Sequence, residues 1–301
     1  EYICDTVRQV SEQQLPDGWQ LNIYAVDDGS TDDTRERLMQ LKDSIADLHL
    51  VCADENAGRS QACNLGLDAG SGAVLVICDA DCRYMRADAV TEFINEIGRG
   101  ADVVIGLVEL AGDSFWARYT NSVAAERLAN ETAQGLMSYT TANFAIRREA
   151  IARVQGFSSD YGRYGFEDKD LLIRIEQAGL NTMVREDVTV SHDDDFTLAA
   201  VCRKAEESGR YSAAVFRDRF PNEYRHLPYA RCDAAMAGSM RALKPVSLPL
   251  KHLARFLAAA ALSLPGPLFR LQRFAVRVAV CAAYFRGTAQ HMDSHQVRES
   301  S

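Results

Sequence analysis

The chain has 301 residues, 47% of them hydrophobic and 25% charged, with only 7 Pro and 19 Gly. That composition excludes collagen-like, mucin-like and wholly disordered chains, and it supplies apolar material for one large domain or two small ones. The formal charge of −9 argues against a general nucleic-acid binder.

The charge is unevenly spread. No Asp or Glu occurs from Ala234 to Met292, and this stretch carries Arg241, Lys244, Lys251, Arg255, Arg270, Arg273, Arg277 and Arg286. An acidic body is therefore joined to a basic, apolar tail. The cysteines, at 4, 52, 63, 78, 82, 202, 232 and 281, lie in apolar stretches without a CxxC pair. They read as buried free thiols in a reducing cytosol.

In chain order, residues 21–26, 48–52, 73–78 and 102–108 are short branched apolar runs bounded by Gly, Asp or Asn. Strands buried on both faces look like this. Between them, residues 32–46 place Leu38, Leu41 and Ile45 at helical spacing, and 60–69 and 86–98 are patterned alike. The alternation predicts an α/β fold with a mainly parallel sheet flanked by helices. Further on, the pattern predicts a long helix over 114–131, a strand over 143–147 and a helix over 148–154. A Gly- and Tyr-rich loop then leads into a helix over 167–178, and an extended segment runs to Val190. From Phe196 the chain reads helical with Pro breaks.

The chemistry gathers in polar loops at the carboxyl ends of the strands, the edge where such sheets bind ligands. The first strand ends in Asp27-Asp28-Gly29-Ser30-Thr31-Asp32 and the third in Asp79-Ala80-Asp81. The second is followed by Asn56-Ala57-Gly58-Arg59, with Ala62, Asn64 and Gly66 on the next helix. Asp79 and Asp81 share a side if the chain is extended there. Two such carboxylates repel unless a cation or ligand hydroxyl sits between them, and hard oxygen ligands suit Mg²⁺ or Mn²⁺ on a diphosphate.

DDGSTD, N-x-G-R…A-x-N-x-G, the DAD triplet and the later GFEDKDLLIRI, in that order, resemble the family 2 glycosyltransferases. These are GT-A fold enzymes that use nucleotide-sugar donors. The resemblance covers about residues 1–195 and implies a Rossmann-like GT-A catalytic domain there; the residues themselves read as a helical, basic, membrane-associating region over 196–301. It implies that Asp27, in preference to Asp28, recognises the base, usually uracil. Arg59 would serve the base or diphosphate, Asp79 the ribose and Asp81 the metal. It makes Asp168 the general base, with Glu167 orienting the acceptor, although both also suit a helix N-terminus as plain dipole partners. His192 occupies the place of a second metal ligand in related enzymes, and Cys82 stands where many members carry another Asp. The family also has a strand with a Pro-x-Tyr-Asn-like turn ahead of the helix that begins near Glu1, so part of the donor site is expected before this residue.

Tyr161, Tyr164 and Phe166, interleaved with Gly162 and Gly165, read as an aromatic platform for a sugar face or as loop anchors in the core. Asp193 to Asp195 read as solvated, one of them capping the next helix. In the tail, the longest charge-free run, Phe256 to Phe269, contains Pro265 and Pro267 and is too broken to span a membrane. Arg270, Arg273 and Arg277 line one side of a following helix. That pattern fits a helix lying on an anionic membrane surface, or one packed on the acidic body.

Together these features predict an inverting, metal-dependent transferase, peripheral on the cytoplasmic face of a membrane. It would move a sugar from a UDP-sugar to a hydroxyl of a glycan or lipid-linked acceptor. Two competitors are a sugar-nucleotide pyrophosphorylase and a non-catalytic partner subunit at the membrane. The first requires a Gly-rich basic phosphate loop near the start; Gly70-Ser71-Gly72 precedes a strand and does not supply one.

Overall fold

The apolar runs form strands, and the amphipathic stretches form the helices that cover them. The computed structural model describes residues 2–192, 196–236 and 241–299, with side chains as far as Met292. Its first elements are α1 (Tyr2–Ser11), β1 (Ile23–Asp27), α2 (Thr34–Lys42), β2 (Leu48–Cys52), α3 (Arg59–Ala69), β3 (Val74–Cys78) and β4 (Cys82–Tyr84). Then come α4 (Ala89–Gly98), β5 (Val103–Glu109), α5 (Phe115–Ala129), α6 (Glu131–Gln134), β6 (Asn143–Arg147), α7 (Arg148–Arg153), α8 (Glu167–Gln177) and β7 (Thr182–His192). The last are α9 (Leu198–Glu207), α10 (Ala213–Arg219), α11 (Pro221–His226), α12 (Ser247–Leu262) and α13 (Phe269–Glu299). The chain divides into two compact units. One runs to Gly162 and resumes from Glu167 through β7; the other takes Arg163–Phe166 and the chain described from Phe196 onward.

In the first unit the sheet is mixed rather than mainly parallel. The strands β3-β6-β5-β7-β4 form one five-stranded sheet, and β1-β2 form a separate parallel pair. Within the five-stranded sheet β6 runs antiparallel to both β3 and β5, β4 runs antiparallel to β7, and β5 pairs with β7 in parallel. The physical reason is simple: an unbroken apolar run reports burial of both strand faces and carries no information on direction. Successive residues do face opposite layers. Val104 and Ala145 join Phe93, Ile97 and Val190 beneath α4, whereas Val103, Ile105 and Phe144 pack with Ile151, Leu171, Leu172 and Ile175 of α7 and α8. A third cluster, Cys4, Val7, Ala25, Leu38, Leu41 and Leu48, seals α1 and α2 against the β1-β2 pair.

In the second unit, Phe166 stacks on Phe216 with ring centroids 4.8 Å apart. Buried Asp233 accepts from Arg217 Nη1 at 2.8 Å and from the Tyr224 hydroxyl at 2.7 Å, and the Tyr224 and Tyr284 hydroxyls are themselves 2.7 Å apart. The free-thiol reading fails here, because Cys232 and Cys281 form a disulfide. The spacing between them gave no signal; folding brings α13 back to the segment after α11. Cys52 is also exposed, not buried. Thr197 caps α9, accepting from the Ala200 amide at 3.1 Å. Asp193 to Asp195, read as the source of that cap, lie outside the described residues.

Candidate active site

The site is built on the ends of β1, β3 and β7 and the starts of α3 and α8. At the end of β1, Asp27 has no exposed side-chain surface. It accepts from the Ser30 amide at 3.2 Å and from Arg35 Nε at 3.1 Å. Burial alone raises its pKa, but Ser30 and Arg35 outweigh that and hold it below the ordinary carboxylate value. Asp28 is half-buried and accepts from the Ala57 and Gly58 amides at 3.0 and 2.9 Å, fixing the loop that leads into α3. The first choice for the base is thus the more enclosed of the two, and both carboxylates hold loops.

Glycine directly after them is obligatory. Gly29 has φ of +69°, and a Cβ there would sit 2.6 Å from the Glu55 carbonyl carbon.

Asn64 is a clamp. It donates to the Phe157 carbonyl at 2.8 Å and accepts from the Phe157 amide at 2.9 Å. Phe157 in turn lies 5.6 Å beneath the guanidinium of Arg59. Arg59 opens α3 and donates to Asp79 at 2.7 Å and to the Thr141 hydroxyl at 3.1 Å, and it lies 3.9 Å from Glu167. Burial disfavours its charge, but Asp79 and Glu167 more than offset this and raise its pKa. Thr141, fully buried just before β6, is a site residue the sequence reading missed. The only signal was its place ahead of a strand in a Ser/Thr-rich connection. Arg35, eight residues beyond its partner Asp27, gave none.

Beyond Asp79 the chain turns into β4, and Cys82 lies opposite His192 in the β4–β7 register. Nε2 of His192 is 3.3 Å from an Asp81 carboxylate oxygen. Asp81, Cys82 and His192 each offer a ligand atom within 4.8 Å of the others. A carboxylate oxygen and an imidazole nitrogen this close fit a divalent cation, and Asp81 and His192 are only partly buried. Cys82 is fully buried. Burial pushes the neighbouring thiols up, Cys63 to about 11 and Cys78 to about 12, which disfavours the thiolate form.

At α8, Glu167 is buried, and Asp168 is half-buried and accepts from the Lys169 amide at 2.8 Å. Lys169 itself turns inward to the Met137 carbonyl at 2.8 Å, and burial lowers its pKa. The residue before this helix, Phe166, holds a strained φ of +71°. The aromatic platform is not formed as a unit. Tyr161 is buried and its hydroxyl lies 3.2 Å from Asp170, and Phe166 is spent in its own stack. Tyr164 alone is exposed, with Lys204 Nζ 5.7 Å from its ring centre. Aromatic residues after glycine anchor loops as readily as they stack on ligands.

A helix-flanked α/β sheet with this acidic edge is the fold of the GT-A glycosyltransferases. The chain aligns with the mannosyltransferase PcManGT from Pyrobaculum calidifontis, solved with GDP-Man and Mn²⁺, at TM-score 0.61 and 22% identity, covering 95% of this chain and 83% of that one. It aligns with residues 1–349 of S. aureus TarS, solved with UDP, at TM-score 0.51 and 15% identity, covering 100% and 88%.

Residues 1–155 match glycosyl transferase family 2, and the chain belongs to that family. Residues 128–196 match a family described as the N-terminal domain of galactosyltransferase. Glycosyltransferase AglE of Haloferax volcanii is 27% identical over 198 residues, 64% of this chain and 62% of AglE. The uncharacterized glycosyltransferase YfnE of Bacillus subtilis is 31% identical over 84 residues, 28% of this chain and 20% of YfnE. The matches therefore span less than two thirds of either relative. The pyrophosphorylase reading falls with the family assignment.

Proposed function

We propose that the protein transfers a sugar from a nucleotide-sugar donor, a UDP-sugar, to a hydroxyl of a glycan or lipid-linked acceptor, inverting the anomeric centre with Mg²⁺ or Mn²⁺ bound. The observation that carries this reading is the contact of Arg59 with Asp79, Thr141 and Glu167 in the same unit as the Asp81–His192 pair. Donor-side and acceptor-side residues of the family pattern are thereby joined through one guanidinium.

In this reading Asp27 and Asp28 form the wall for the base, with Asp28 the more accessible. Asp79 takes the ribose hydroxyls, and Arg59 offers its remaining N–H groups to the diphosphate. Asp81 and His192 would hold the cation. An ion held by these two residues would supply positive charge to offset that on the departing nucleoside diphosphate. Asp168 takes the proton of the acceptor hydroxyl as that oxygen attacks the anomeric carbon from the face opposite the nucleotide. The new C–O bond forms as the bond to the nucleotide breaks, so the configuration inverts. Glu167 orients the acceptor. Residues 1–195 would form the catalytic domain and 196–301 a helical region serving it.

Replacing Asp168 with Asn tests the assignment. Donor affinity, measured calorimetrically across a panel of UDP- and GDP-sugars, should change by no more than about threefold, whereas transfer should fall by about 10²–10⁴. PcManGT and TarS, with GDP-Man and UDP bound, put both bases in that panel. Unchanged transfer would remove Asp168 as the base. Donor binding by the wild-type chain without transfer to any acceptor would favour the non-catalytic partner reading.

A further inference from the structure

The helical unit carries a hairpin that is packed inside out. In α12 the buried side chains are small: Ser247, Ala254, Ala258 and Ala261. Its large apolar side chains, Leu248, Leu250, Leu253, Phe256 and Leu257, are exposed, Phe256 to 70% and Leu253 to 56%. Leu250, Leu253 and Leu257 recur at three- and four-residue spacing and so form one stripe. The turn into α13 leaves Leu264 and Leu268 exposed, and the start of α13 exposes Leu271, Phe274 (66%) and Val278 while burying Val276 and Ala279. A helix facing water does the reverse, and a concentration of exposed large apolar side chains of this kind marks a site of association.

The chain that forms this surface carries one sign of charge. Arg255, Arg270 and Arg277 are exposed beside it, and no carboxylate occurs from Ala234 to Met292. Other basic residues turn inward: Lys251 meets Glu206 at 3.0 Å, and half-buried Arg286 donates to the Ser247 hydroxyl at 3.1 Å. No described helix is long and apolar enough to cross a membrane, and α13 carries Arg270, Arg273, Arg277 and Arg286 along its length.

We propose that the α12–α13 hairpin docks on an anionic phospholipid bilayer, lying in the plane of the interface. Its leucines and phenylalanines would enter the acyl boundary, and its arginines would meet lipid phosphates. Small residues along the seam let the two helices approach closely without spending their large apolar side chains on each other. Charge selects the bilayer over a second copy of the chain. A two-fold contact through this face would set an arginine-bordered surface against itself, with no carboxylate between Ala234 and Met292 to answer it. This inference goes beyond sugar transfer and does not depend on it.

The test is flotation of the full chain with phosphatidylcholine vesicles, with and without about one third phosphatidylglycerol. The wild-type chain should float with the anionic vesicles and less with the neutral ones. Leu253→Asp with Phe274→Asp should lower the bound fraction about tenfold or more on both. Arg270→Gln with Arg277→Gln should lower it on anionic vesicles only, as raised salt should. All four side chains are exposed, and a circular dichroism melt of each variant reports that the fold is kept; the Gln pair keeps the test open if the Asp pair unfolds. Equal recovery with and without vesicles would overturn the proposal. So would a wild-type dimer in light scattering that ignores vesicles and dissociates in the Phe274→Asp variant, since the face would then belong to a second copy.

Discussion

Arg59 meets Asp79 through two of its nitrogens, Nε at 3.2 Å and Nη2 at 2.7 Å, both directed to one carboxylate oxygen. Its third nitrogen serves the Thr141 hydroxyl and faces Glu167. One planar cation therefore spans the loop after β3, the segment before β6 and the first residue of α8. A lysine ammonium is a point charge on a flexible stem and cannot reach three directions at once.

Arg59→Lys should accordingly raise the donor KM about tenfold or more while the rate at saturating donor falls less, as loss of a charge-assisted hydrogen bond implies. Steady-state kinetics read the split. A KM unchanged alongside a lowered Tm would make Arg59 a structural strut only.

The metal assignment separates Asp81 and His192 from Cys82. All three lie within 4.8 Å, but Cys82 is fully buried in the core with Tyr84, Phe93 and Val190. Asp81→Asn and His192→Ala should each weaken Mn²⁺ binding about tenfold or more, and Cys82→Ala should leave it within about threefold. Calorimetric titration of the metal alone distinguishes them. Chelation should abolish transfer, with Mn²⁺ restoring it. Transfer that survives complete chelation would contradict both ligands.

How far the sequence was legible depends on which signal each residue carried. The strands from β1 to β3 and the helices that follow them were readable because burial on both faces and helical periodicity are local. Strand direction was not, so β6 and β4 reverse what is otherwise expected. β4 itself is three residues long and carries Arg83 between buried Cys82 and Tyr84, too short a run to show a period. The order of motifs singled out Arg59, Asp79, Asp81, Glu167 and His192 as candidates, and the structure brings these into two contact groups. Asn64 shows the limit of a motif, because its spacing was visible whereas its partner, the Phe157 backbone, lies 93 positions away. Arg35 had no local signal and Thr141 only its place ahead of a strand, since their roles arise from contacts that folding makes between segments.

Asp27 gives the fold a definite response to acid. Its folded-state pKa lies below the ordinary 3.8, through Ser30 and Arg35 acting against burial. A depressed carboxylate contributes stability that is complete above the unfolded value and is lost as pH falls through the folded one. Asp27→Asn should therefore be less stable by about 1.5–3 kcal/mol at pH near 7, the range for hydrogen bonds to charged groups. The gap to wild type should narrow below about pH 3.8. Urea unfolding at neutral and acid pH measures both. A gap that stayed constant down to the acid limb would show that the Arg35 pair does not stabilise the fold.

The disulfide between Cys232 and Cys281 makes the last prediction, one that bears on compartment as well as stability. It joins positions 49 apart, tying the segment after α11 to the middle of α13 beside the Tyr224–Tyr284–Asp233 network. Closing a loop of that length in the unfolded chain corresponds to about 4 kcal/mol in the chain-entropy treatment. Alkylation of the unreduced, denatured protein should label six thiols, those of Cys4, Cys52, Cys63, Cys78, Cys82 and Cys202, and leave Cys232 and Cys281 unmodified until reductant is added. Reductant should lower the midpoint of urea unfolding for wild type and leave a Cys232→Ala, Cys281→Ala variant unmoved. Full labelling of Cys232 and Cys281 without reductant in protein taken directly from cells would show that the bond is not kept where the chain resides. Protection in the same experiment would instead favour an oxidising environment for the helical unit, against the reducing cytosol that the scattered cysteines implied.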